Sequence, residues 1–177
     1  LAGANIANIW SITGADSGTV TDGDGTGTVA FSGFNNLTGG TDTDNFTLSG
    51  GTLSGAIAGG AGVNSLTGGD VANIWTITGA DAGTVTGVTG GFSQIANLTG
   101  GTNNDAFAFN AGGSLTGLIN GGTQAAADTV NYSALGAMTV TLGTSIVNIE
   151  TATGAAVQTL AGANIANIWS ITGADSG

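Results

Sequence analysis

No cysteine, proline, lysine, arginine or histidine occurs in the 177-residue chain. Without cysteine there are no disulfide staples and no thiolate metal sites, an absence that leaves the compartment open. Without cations there are no ion pairs between side chains, so cohesion has to come from hydrogen bonds and buried apolar area. The 11 acidic residues stand uncompensated and give a formal net charge of −11. Such a surface repels nucleic acid and anionic lipid headgroups, so no nucleic-acid partner is expected. No apolar run approaches the roughly 18 residues of a membrane helix, so no membrane insertion is expected. The missing His, Cys and Lys remove the usual bases and nucleophiles near neutral pH. Paired carboxylates could in principle hydrolyse glycosides, but the Asp residues sit in repeated corners rather than in one unique site, and the chain reads as not an enzyme. Trypsin-type cleavage sites are absent as well.

What is present points to strands. The chain holds 35 Gly and 41% hydrophobic residues. The glycines follow no Gly-X-Y period, which excludes collagen, and the abundance of Ile, Val, Leu and Phe argues against disorder. Interior glycines at this density would each cost a helix about 1 kcal/mol relative to Ala. Apolar residues alternate with small or polar ones in NIWSI, NFTLS, AFAFN and MTVTL, the period of a strand, and Gly-rich corners bound each run.

Repetition is the dominant feature. LAGANIANIWSITGADSG at 1–18 returns letter for letter at 160–177, and VANIWTITGADAGTV at 71–85 is a shorter copy. Residues 1–159 therefore read as one full repeat, with submodules 1–65 and 66–159, and residues 160–177 as the start of the next. Leu1 falls inside a repeat, so any targeting segment is expected outside this window. One template recurs at 1–12, 37–48, 66–77, 98–109 and 160–171: an apolar residue, any residue, Gly, Gly or Ala, three variable residues, Asp or Asn, then alternating apolar positions. A looser copy spans 57–68, and one stretched by two residues spans 119–132.

The markers Leu1, Leu37, Leu66, Leu98, Val130 and Leu160 follow one another at roughly 32 residues. That spacing predicts an all-β chain with a parallel β-solenoid fold, of the β-helix or β-roll kind, with about five coils of roughly 32 residues in each repeat. Coils stacked about 4.8 Å apart would rise about 24 Å per repeat. Trp10, Phe46, Trp75, Phe107 and Trp169 are expected to form one inward aromatic ladder. The Asn or Asp two residues before each aromatic points the same way and is expected to bind the backbone of the preceding Gly-Gly corner.

The template resembles the glycine- and aspartate-rich nonapeptide of the RTX, or haemolysin-type calcium-binding, family. GGAGVNSL at 59–66 matches that motif except that Asn64 replaces Asp. GGTDTDNF at 39–46 keeps Asp44 and GGTNNDAF at 100–107 keeps Asp105. More broadly the chain is similar to repetitive regions of large bacterial secreted and surface adhesins. The resemblance implies an extracellular or cell-surface location and a calcium cofactor held by Asp side chains and glycine-corner carbonyls, with Asp42, Asp44, Asp105 and Asp128 as ligands. Calcium needs about six to eight oxygens, several of them charged, whereas Asn stands in the Asp position at Asn8, Asn64, Asn73 and Asn167.

Other motifs read more plainly. Asp16, Asp81 and Asp175 share the setting GAD(S/A)G and read as solvated turns. Asp22 and Asp24 read as a flexible turn, and Glu150, the only Glu, as a solvated carboxylate. The pairs Thr19/Thr21, Thr41/Thr43, Thr84/Thr86, Thr139/Thr141 and Thr151/Thr153 raise an ice-binding alternative, but their positions relative to the markers differ from turn to turn. The function expected is a structural extracellular fibre or adhesin repeat, serving surface attachment, matrix or sheath, whose main partner is itself through stacking or tandem continuation. The alternative is a calcium-dependent RTX-like spacer or binding region.

Overall fold

The computed structural model describes residues 1–123, 127–155 and 157–163. The described residues are all-β. The chain opens with an antiparallel meander, β1 (Asn8–Gly14), β2 (Ser17–Asp22) and β3 (Thr28–Ser32), on one sheet. It then crosses back and forth. β4 (Leu37–Gly40) and β6 (Ile57–Gly60) lie on a second sheet, while β5 (Asp44–Leu48) and β7 (Ser65–Thr67) lie on the first. A second meander, β8 (Ile74–Gly79), β9 (Ala82–Val85) and β10 (Val88–Ser93), sits on the second sheet. The crossing resumes with β11 (Asn97–Gly101), β12 (Ala106–Phe109), β13 (Ile119–Gly122) and β14 (Thr129–Asn131). β15 (Thr139–Thr141) stands apart, and β16 (Ile146–Val147) and β17 (Thr151–Thr153) end the two sheets. Among the described residues β18 (Thr159–Ala161) pairs with β15 alone. The first sheet runs β16-β13-β11-β7-β5-β1-β2-β3 and the second β17-β14-β12-β8-β9-β10-β6-β4.

These two mixed eight-stranded sheets overturn the expected parallel solenoid of about five equal coils. Parallel neighbours do occur, but each sheet carries an antiparallel meander that such a coil lacks. The cause is the GAD(S/A)G segment. Gly14 pairs with Ser17 across a two-residue turn whose Asp16 has φ 48°, and Gly79 pairs with Ala82 across a turn whose Asp81 has φ 49°. Asp tolerates this left-handed conformation better than most residues, so the chain reverses there instead of going on to the next coil. Equivalent polar residues are consequently 36 and 20 positions apart in one sheet, and 32, 23 and 22 in the other. The long steps contain a meander and the short ones do not. A period near 32 had averaged two kinds of connection.

The core lies between the sheets. β1 and β5 alternate buried and exposed positions and send Trp10, Ile12, Phe46 and Leu48 inward. β8 and β12 do the same with Trp75, Ile77, Phe107 and Phe109, and all eight belong to one apolar cluster. The expected single aromatic ladder divides between the sheets. Trp10 stacks on Phe46 (centroids 5.4 Å, 12°) in the first sheet, and Trp75 on Phe107 (5.5 Å, 15°) in the second. Each Trp also meets an aromatic of its own meander edge-on, Phe31 at 6.1 Å and Phe92 at 6.0 Å. Gly18 and Gly83 lie opposite those Phe residues; a Cβ at either would come within 2.0 to 2.1 Å of a backbone oxygen of the neighbouring strand. Trp169 lies outside the described residues.

The two meanders differ in how they are covered. Leu53 N donates to Gly87 O (2.7 Å) and Thr89 N to Leu53 O (2.9 Å), so β10 closes over the first module. The counterpart Leu115 instead borders a cavity of about 210 Å³, with Phe109, Ile119, Tyr132, Leu135 and Met138 on its walls. Burial there pushes the Tyr132 hydroxyl pKa up to about 12.

Candidate functional site

The polar residues of the template form two buried ladders, one per sheet. In the first, Asn8 N donates to Asp44 Oδ1 (2.9 Å) and Asp44 N donates to Asn64 Oδ1 (2.8 Å). In the second, Asn73 N donates to Asp105 Oδ1 (2.8 Å), Asp105 N to Asp128 Oδ1 (2.7 Å) and Asp128 N to Glu150 Oε2 (2.6 Å). Asn8, Asp44, Asn64, Asn73, Asp105 and Asp128 are all at most 3% exposed. The side-chain oxygens of Asp44, Asn64, Asp105, Asp128 and Glu150 each satisfy the amide of the counterpart one level earlier, at the start of the strand. An unmet buried amide there would cost about 1–3 kcal/mol. Asn73 Oδ1 is buried without a partner.

The second side-chain atom explains the glycines. Asp44 Oδ2 accepts from Gly40 N (2.6 Å), as expected for a residue that ties down its preceding corner. Where Asn occupies the position the polarity inverts. Asn8 Nδ2 donates to Ala4 O (3.0 Å), Asn64 Nδ2 to Gly60 O (3.3 Å) and Asn73 Nδ2 to Gly69 O (2.8 Å), in each case a carbonyl four residues earlier. The side chain lies against the Cα of the glycine that opens the corner. A Cβ built on Gly39 would sit 2.3 Å from Asp44 Oδ2 and 2.2 Å from Gly59 O; one on Gly100 would sit 2.2 Å from Asp105 Oδ2. The recurring Gly before Asp or Asn is therefore a steric requirement of the ladder.

Asp105 differs from Asp44. Its Oδ1 accepts from both the backbone N and the Nδ2 of Asn73 (2.8 Å each), but its Oδ2 is buried without a hydrogen-bond partner. Burial raises its pKa above the ordinary 3.8; the bonds from Asn73 act in the opposite direction, and the charge of Asp128 adds to the rise.

The four residues suggested as calcium ligands are spread out. Asp44 belongs to the ladder of the first sheet, and Asp105 and Asp128 to that of the second. Asp42 is exposed, its Oδ1 accepting from Thr43 N (2.8 Å). Among the described residues no three acidic groups gather as a cation site. Oδ1 of Asp44, Asp105 and Asp128 is in each case already an acceptor for a backbone amide.

Two sets of contacts went unread in the sequence. Asp16 and Asp81 are half-buried ties, not solvated turns. Asp16 accepts from Ser54 N and Oγ (2.7 and 2.8 Å), and Asp81 from Thr116 N and Oγ1 (2.7 and 2.8 Å). The available signal was that GTLSG and GSLTG each follow a GAD(S/A)G segment at a similar distance. Asn36 Oδ1 likewise accepts from Ala56 N, and Asn97 Oδ1 from Leu118 N, each just ahead of a marker Leu. Glu150, expected to be merely solvated, ends the second ladder. Asp22 and Asp24 fold on themselves: Asp24 Oδ1 accepts from Thr26 Oγ1 (2.7 Å) and N (3.0 Å), which lowers its pKa. The Thr pairs are dispersed, Thr19/Thr21 on β2, Thr139/Thr141 on β15 and Thr151/Thr153 on β17.

What recurs is a framework. The Trp–Phe stack, the Asx ladder and the Asp tie each appear once in residues 1–65 and once in 66–159, on opposite sheets. Comparison of the chain with family models, with curated proteins and with solved structures finds no match in any of the three.

Proposed function

We propose that the chain is a structural repeat of an extracellular fibre or surface adhesin, whose work is to hold length and shape outside a bacterial cell. The observation that supports this reading is duplication. Trp10–Phe46, Asn8–Asp44 and Asp16–Ser54 have the counterparts Trp75–Phe107, Asn73–Asp105 and Asp81–Thr116. An arrangement made twice, on opposite sheets, is what a scaffold built from repeats needs. The 18-residue return at 160–177 extends the same logic beyond one repeat. The uncompensated charge of −11 keeps neighbouring fibres apart, and the lack of Lys and Arg denies trypsin-like proteases a foothold.

Electron microscopy or small-angle scattering of chains with one, two and three consecutive repeats tests the reading. Particles whose long dimension grows in proportion to copy number, at constant width, are expected. Compact particles that thicken with copy number refute it.

A further inference from the structure

We propose that consecutive copies share one strand: the segment Thr159–Gly162 is paired on one edge by β15 of its own copy and on the other by the β4 of the copy that follows. This rests on the tandem reading above and specifies its joint.

The two ends of the chain display the two halves of that joint. At the start, Thr38 N donates to Leu1 O (2.9 Å) and Gly3 N donates to Thr38 O (2.8 Å). Leu1 and Gly3 thus turn their backbone groups toward β4. Polar groups of successive residues point to opposite edges of a strand, so Ala2 turns its own away. Residues 160–162 repeat residues 1–3. There Thr159 N donates to Met138 O (2.8 Å) and Leu142 N donates to Ala161 O (3.0 Å), with Leu160 beside Val140 and Ala161 beside Thr141. Ala161, the counterpart of Ala2, bonds on the edge that Ala2 leaves open. Leu160 and Gly162, counterparts of Leu1 and Gly3, turn toward the edge that β4 fills in the first copy. The two sets of groups are complementary and compete for no atom.

The chain also contains this joint in finished form. β7 carries Leu66, the marker equivalent to Leu1 and Leu160. It lies between β5 and β11, with Phe46 beside Leu66 on one edge and Leu98 on the other. Thr139-Val140-Thr141 stands to Leu160 as Asn45-Phe46-Thr47 stands to Leu66. Leu66 is 0% exposed, whereas Leu160, paired on one edge, is 45% exposed. With the next copy's Leu37 counterpart alongside, Leu160 takes the environment of Leu66.

The chain has no native cysteine, so introduced pairs report directly. Neighbouring positions of a parallel ladder bring Cα atoms within disulfide range. In a chain of two consecutive repeats, Ala161→Cys is combined with Thr141→Cys in one variant, and with Cys at the second copy's counterpart of Thr38 in another. Ala2→Cys with Thr38→Cys in a single repeat is the reference. Mild oxidation is read as mobility on a non-reducing gel. All three pairs are expected to bridge to a similar extent, and Ala161→Cys with Cys at the counterpart of Thr41 is not. Bridging of the reference and Thr141 pairs without the cross-copy pair overturns the shared strand. If particles still lengthen with copy number in that case, the fibre reading survives and only the joint is wrong.

Discussion

Replacing Asp105 by Asn should stabilise the protein at neutral pH and do nothing at acid pH. The ionised carboxylate keeps one oxygen, Oδ2, buried and unbonded, which costs about 1–3 kcal/mol. The amide of an Asn would retain Oδ1 as acceptor for Asn73 and place an N–H₂ where Asn8, Asn64 and Asn73 use theirs, toward the carbonyl four residues earlier, here Gly101 O. Against this, the bonds from Asn73 weaken when their acceptor loses its charge, by about 1 kcal/mol in all. A net gain of about 1 kcal/mol remains, or about 2–4 °C in Tm for a chain of this size. The sign with pH follows from the raised pKa of Asp105. The folded state holds the proton more tightly than the unfolded state, so this group's contribution is complete below the ordinary 3.8 and is lost as pH rises through the raised value. The advantage of Asp105→Asn should therefore be widest near pH 7 and close as the pH falls toward 3.8. Urea unfolding of both chains from pH 3 to pH 8 measures it. A variant less stable than the parent at pH 7 would show that the buried carboxylate is favourable as an anion, and an advantage independent of pH would show that folding does not raise the Asp105 pKa; either result would make the account of this rung wrong.

Other expectations are simpler. Gly39→Ala sets a methyl against Asp44 Oδ2 and Gly59 O and should cost about 1–3 kcal/mol in chemical unfolding; Gly136→Ala, with open space around it, should change stability by less than about 0.5 kcal/mol. Trp10→Ala and Trp75→Ala should each cost about 3–5 kcal/mol, and a large inequality between them would count against the duplication. Asp16→Gly keeps a residue suited to φ 48° but loses both bonds to Ser54, so calorimetry should show a loss of about 1–3 kcal/mol. A chelator should leave the far-ultraviolet circular dichroism unchanged, because Asp44, Asp105 and Asp128 already accept from backbone amides; unfolding on chelation would favour the calcium alternative.

Local pattern carried the reading as far as local causes reach. Alternation in NIWSI and NFTLS gave strands with Trp10 and Phe46 inward, and the spacing of Gly before Asp or Asn marked the ladder rungs. The sheet to which a strand belongs is different in kind. Trp10 and Trp75 stand in almost the same sequence, NIWSITGAD and NIWTITGAD, yet occupy opposite sheets, because the chain crosses between sheets an odd number of times on the way. That parity depends on whether each corner crosses or reverses. The reversal at Asp16 hinges on a left-handed residue held by Ser54, 38 positions further on, a partner no short window contains. The ties of Asp16 and Asp81 stayed hidden for the same reason, as did the role of Glu150, whose amide partner Asp128 lies 22 residues earlier.

Unequal connections have a consequence for how such a chain can change. Rungs of the ladder meet at the same hydrogen-bond distance whether 20 or 36 residues separate them. The turn between β2 and β3 spans Gly23–Gly27, whereas Thr86 and Gly87 suffice between β9 and β10. Length gained or shed at those hairpin tips is invisible to the rungs. Evolution, or an engineer grafting a foreign loop there, can rewrite the flank of the molecule while its spine keeps the same pitch.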